Sequence, residues 1–100
     1  MFIYNVTINI THDVHEDWLD WMKHVHIPDV LKTGCFIEAK IHEVMYVEDE
    51  GKTYSVQYKF QSIEDIEKYQ KDFAPGLQKE HSERYKDKYA TFRTLLRQVD

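Results

Sequence analysis

One cysteine, three glycines and two prolines in 100 residues close off several architectures at once. With Cys35 alone, no disulfide can form within the chain, so a small fold stapled by cross-links is excluded and a reducing compartment is expected. No apolar run approaches the roughly 18 residues that span a bilayer. Met1-Phe2-Ile3-Tyr4-Asn5 carries no basic n-region, so a cytoplasmic place with no membrane partner is expected. Basic residues are outnumbered by acids, 13 to 18, for a formal net charge of -5. They are interspersed with Glu64, Asp65, Glu67, Glu80 and Glu83, leaving no basic stripe to neutralise phosphates. Nucleic acid is therefore not an expected partner. No repeat, linker or low-complexity segment interrupts the chain.

What is present is a globular balance, 42% hydrophobic against 31% charged. One domain over residues 1–100, with one modest core, is expected. At this length folding buries roughly 60 to 70% of the surface of the extended chain.

Hydrophobic periodicity sets out the elements. Residues 2–10 alternate, with Phe2, Tyr4, Val6, Ile8 and Ile10 on one side and Ile3, Asn5, Thr7 and Asn9 on the other, a half-buried strand. Asp13 and Glu16 have the spacing of a capping box. Val14, Trp18, Trp21, Met22 and Val25 then form one apolar helical stripe. Pro28 predicts a helix end near His26 and a short new turn running to Gly34.

Residues 35–47 are β-rich, with Ile37, Ala39 and Ile41 on one face. The alternation slips near Glu43, where Val44 and Tyr46 take over, which predicts a bulge. Glu48-Asp49-Glu50-Gly51-Lys52 is a polar turn. The strand after it sets Tyr54, Val56, Tyr58 and Phe60 against Thr53, Ser55, Gln57 and Lys59. Ser62 and Asp65 make a second cap signature, followed by Ile66, Tyr69, Phe73 and Leu77 at helical spacing, with Pro75 dividing that helix in two. Tyr89 to Leu96 reads as a strand whose faces stay ambiguous.

The order strand, helix, strand, strand, helix, strand is that of an α+β, ferredoxin-like βαββαβ fold, with both helices on one face of an antiparallel four-stranded sheet. The first and third strands are then central, and Asn5, Thr7 and Asn9 neighbour Ser55, Gln57 and Lys59 on the face away from the helices. That polar face is either solvated or the lining of a cavity closed by a second copy. RNA binding in the manner of an RRM needs exposed aromatics there, and the central strands put theirs on the other side.

The segments IYNVTINI, WLDWMKHVHIPDVLKTGCF, YSVQYKF, FAPGLQKEH and TFRTLL resemble the bacterial family known as domain of unknown function 4286, across essentially the whole chain. HIPDVLKTGCF is the most specific of them. The family brings no activity. The resemblance implies the dimeric α+β barrel superfamily, in which two ferredoxin-like units pair their sheets around a small-molecule cavity. Its members include cofactor-independent monooxygenases, isomerases and plain binding modules, and fold analogy does not choose among them.

Imidazole titrates near neutral pH, which makes His24 and His26 candidates for proton transfer. In an α-helix they lie about 200° apart, so at most one can face a pocket. His26 is favoured, as it adjoins the Ile27-Pro28 corner and belongs to the resembling motif. The plainer reading of either is a helix-end histidine bonded to a terminal carbonyl.

Trp21, His24, Asn5, Gln57 and Tyr58 are the candidate ligand contacts, with core packing the plainer role for Trp21 and Tyr58. His12 and His15 are a weak metal pattern. No HExxH, paired CxxC, Walker loop, GxGxxG or GxSxG motif is present, so no metal, cofactor or covalent nucleophile is assigned. Two readings stay open: a homodimeric module binding a small organic molecule, and a cofactor-independent enzyme of monooxygenase or isomerase type with His26 as general base.

Overall fold

The computed structural model describes residues 1–46 and 50–100. Its elements are β1 (Phe2–Thr11), α1 (His15–Trp21), a π-helical turn (Met22–His26), α2 (Ile27–Lys32), β2 (Glu38–Glu43), β3 (Gly51–Phe60), α3 (Ile63–Lys68), a second π-helical turn (Tyr69–Phe73), α4 (Ala74–Arg84) and β4 (Tyr89–Arg97). The sheet is antiparallel in the order β2-β3-β1-β4. Among the described residues no helix is long and apolar enough to cross a membrane.

The alternation of β1 and β3 decides which side of the sheet carries the helices. Tyr4, Ile8, Ile10, Tyr54, Val56, Tyr58 and Phe60 are all buried, and they meet Trp18, Met22, Val30, Ile66 and Tyr69 from the helical layer. The register also settles β4. Ile10 pairs with Tyr89, Ile8 with Thr91 and Val6 with Arg93, so these β4 residues face the helices, and Ala90, Phe92, Thr94 and Leu96 face away. Gly51 opens β3 opposite Thr11, and any Cβ there would collide with the carbonyl of Ile10, so the close approach of the two strands requires glycine.

The capping box at Ser62 and Asp65 forms as expected, and Pro75 stands in the first turn of α4 after the second π turn, where its missing N–H costs little. Three local expectations are corrected. Asp13 caps nothing, because its carboxylate is held by Lys88 Nζ at 2.7 Å and α1 begins from Val14. The first helix does not stop near His26, because the wide turn at residues 22–26 carries the chain around Pro28 and on to Lys32 before Gly34 leaves with φ +79. The slip near Glu43 is the end of β2 rather than a bulge, with only Val44 N–H still bonded to Thr53. Of the polar turn, Glu48 and Asp49 lie outside the described residues, and so does Val47.

The π turn also changes what the first stripe buries. An i→i+5 turn holds one residue more than an α turn, so after Met22 the inward position falls on His26, and Val25 is left exposed. α1 and the end of α4 are tied by Tyr85, whose hydroxyl donates to Asp17 at 2.7 Å and accepts from Arg84 Nε at 3.1 Å.

Candidate functional site

Between the helical layer and the sheet lies a cavity of about 230 Å³. Its floor is the inward face of the central strands, Val6, Ile8 and Val56, and its walls carry His26, His81, Gln78, Arg93 and the phenols of Tyr4, Tyr58 and Tyr69. Each π turn contributes to it: Met22 and His26 come from the first, and Tyr69 opens the second. Single π turns inside helices recur at functional sites because the widened turn re-aims side chains, and both do so here.

The two imidazoles are embedded in aromatics. His26 stacks on Trp21 with centroids 5.2 Å apart and meets His81 edge-on at 5.8 Å. His81 is buried, and its Nε2 lies 2.9 Å from Trp18 Nε1. An indole N–H only donates, so Nε2 accepts and the neutral ring carries its proton on Nδ1. Nδ1 of His26 is enclosed and has no hydrogen-bond partner.

Burial brings His26 down to about 4, with the Arg93 guanidinium pushing the same way. Burial also brings His81 down to about 4, with His26 and then Arg93 adding to it. Both rings are therefore neutral at neutral pH. The phenols are raised, chiefly by burial: Tyr58 and Tyr69 strongly, and Tyr4 against the opposing effect of Arg93 and Gln78 on its hydroxyl. All three remain hydroxyl donors.

The residues singled out from the sequence do not all converge. His26 and Tyr58 line the cavity, and Trp21 is buried behind His26 rather than in the lining. His24 points outward, its side chain 71% exposed, with Nδ1 2.9 Å from the Asp20 carbonyl oxygen. Asn5 and Gln57 pair across β1 and β3 on the face away from the helices, where Asn5 accepts from Ser55 at 2.6 Å and donates to Thr7 at 3.0 Å. The cavity within this chain is thus on the opposite side of the sheet from the polar face.

His81, Arg93, Gln78, Tyr4 and Tyr69 complete the site and were not singled out. His81 had a usable signal, since it continues the Phe73 and Leu77 stripe by one further step of four. Arg93 had none, because the faces of β4 are set only by its register. Among the described residues no group of three or more potential ligands is placed to hold a metal ion.

A four-stranded antiparallel sheet in the order β2-β3-β1-β4, with split helices covering one face and a cavity beneath them, defines a ferredoxin-like α+β protein. Solved structures agree. A dimeric ferredoxin-like protein from an uncultured marine organism superposes with a TM-score of 0.74 at 17% identity, covering 100% of this chain and 96% of that one. An EthD family protein from Bacillus halodurans gives 0.70 at 10% identity, covering 99% and 100%. SnoaB from Streptomyces nogalater, described as a cofactor-independent oxygenase, gives 0.69 at 7%, covering 99% and 94%. At these identities the likeness is one of fold. The chain itself belongs to the DUF4286 family, a domain of unknown function, whose model matches residues 1–99. No curated protein matches the sequence.

Proposed function

We propose that this protein is a homodimeric binding module for a small organic molecule held between the sheet and the split helices. The observation that carries the reading is the convergence of Arg93, Gln78, two neutral imidazoles and four tyrosines over an apolar strand floor in one cavity. Polar groups converging from several elements on one recess, beside an apolar strand floor, give a ligand both fixed orientation and a surface to bury. His26 and Tyr58 are the direct contacts from the original candidates, and Trp21 positions His26 by stacking.

The partner in the dimer is a second copy meeting the outward sheet face. Phe92 and Leu96 are exposed on that face, paired with Thr7 and Ile3 of β1 beside the Asn5–Ser55 network, and the dimeric marine relative has the same fold. A cytoplasmic place for the assembly rests on the free, buried Cys35.

An enzyme in which His26 takes a proton has less support. Burial holds His26 near 4, well below its ordinary value, which makes it a weak base at neutral pH.

A fragment set screened by ligand-observed NMR tests the binding reading. Single-ring fragments should bind the wild-type chain, and Ser82→Trp, which fills the cavity wall, should abolish their signals. Absence of any wild-type binder, or binding untouched by the blocking variant, overturns it.

A further inference from the structure

Arg93 is the one residue in the cavity lining with a permanent charge, and no Asp or Glu is among the lining residues. Both lining histidines are neutral. The other arginines are engaged elsewhere: Arg84 lies over the Trp21 ring and pairs with Asp17, and Arg97 lies over Phe2. Arg93 has no carboxylate partner among the ion pairs of the described residues. Its charge falls instead on the groups of the cavity, namely the Tyr4 and Tyr69 hydroxyls and both imidazoles. Arg93 is itself exposed, so its guanidinium stands at the open rim of the recess without a counter-charge, and its planar fork suits a carboxylate held by two parallel hydrogen bonds.

The surroundings of that charge define the remainder of the ligand. The Tyr4 hydroxyl and Gln78, which act on the same corner as Arg93, supply further donors for an anion. Away from that corner the floor is Val6, Ile8 and Val56, which offers nothing to a second charge and favours a hydrocarbon or aromatic body. A volume of about 230 Å³ limits that body to one ring with short substituents.

Resting on the binding reading above, we infer that the ligand is a single-ring organic monoacid, its carboxylate against Arg93 and its ring over the Val6–Ile8–Val56 floor. Inorganic anions satisfy the first contact and waste the second. Neutral ring compounds do the reverse.

The test uses the full chain and matched probes: benzoate and 4-hydroxybenzoate, the corresponding benzamides, and inorganic phosphate. Binding is followed by calorimetry and by the intrinsic fluorescence of Trp18 and Trp21, each of which contacts a lining histidine. The acids should bind at least tenfold more tightly than their amides and than phosphate. Arg93→Gln should erase the preference for acid while leaving amide affinity within about threefold, with an unchanged thermal midpoint showing that the fold is intact. Equal binding of acids and amides, or acid binding indifferent to Arg93→Gln, overturns the organic-acid assignment while the cavity reading stands. Phosphate binding as tight as benzoate overturns it in favour of a simple anion site. Failure of every probe in the wild type overturns it too, and the fragment screen then decides separately whether the cavity binds anything.

Discussion

Trp18 donates its indole N–H to Nε2 of His81 across 2.9 Å, both residues buried, and so fixes the tautomer of an imidazole that lines the cavity. α1 thereby sets the chemistry of α4 through a single hydrogen bond 63 residues apart in sequence. Trp18→Phe keeps an aromatic ring but removes the donor and part of the buried ring volume. It should destabilise the protein by at least about 1–3 kcal/mol, the cost of leaving a buried acceptor unpaired, with the cavity adding to it. Long-range ¹H–¹⁵N spectra should show the proton of His81 on Nδ1 in the wild type and a mixture of tautomers in the variant. A single unchanged tautomer would mean that another contact orients the ring.

The two depressed histidines link stability to pH. Each has an ordinary value of 6.5 and sits near 4 when folded, so between those limits the unfolded chain binds protons that the folded chain refuses. Stability from these groups is complete above about 6.5 and declines as pH falls toward about 4. The loss should be on the order of a few kcal/mol for the pair. Urea denaturation across this range should show it. His81→Gln, which retains an acceptor for Trp18, should flatten the slope by about half.

Trp21 stacks on His26, meets Tyr85 edge-on at 5.6 Å and lies beneath the Arg84 guanidinium at 5.4 Å. Trp21→Ala should cost about 3–5 kcal/mol, as expected for truncating a large buried aromatic. Chemical denaturation measures it, and a change under about 1 kcal/mol is incompatible with this packing.

His26→Ala separates ligand contact from architecture. Affinity for any cavity ligand should fall at least tenfold, equal to about 1.4 kcal/mol. The circular dichroism spectrum should stay that of the wild type. Unchanged affinity per folded molecule, measured by titration calorimetry, would make the ring purely structural.

The proposed dimer makes a mass prediction. Light scattering should give twice 12.1 kDa, and Phe92→Glu on the outward face should shift the protein to monomer by burying a charge with no partner. A wild-type mass of one chain at all concentrations rules the assembly out.

The residues alone determined much of this fold, wherever the determinant is local. Alternation in β1 and β3 records which side of each strand is wet, the Ser62–Asp65 box satisfies helix-end donors within four residues, and Pro75, lacking an N–H, breaks the regular α-helical hydrogen-bond ladder at its own position. Asp13 and Glu16 had the same local grammar and lost to a longer-range partner, Lys88. Only the tertiary structure decided the site. The π turn after Trp21 is bonded through the backbone and leaves no residue signature, yet it is what turns His26 inward and Val25 out. The faces of β4 follow from pairing with β1, which no pattern within β4 specifies, and that pairing is what brings Arg93 to the cavity while leaving Phe92 outside. Periodicity encodes burial one element at a time, whereas a cavity is a property of the space between elements, so its lining becomes legible only once they are packed.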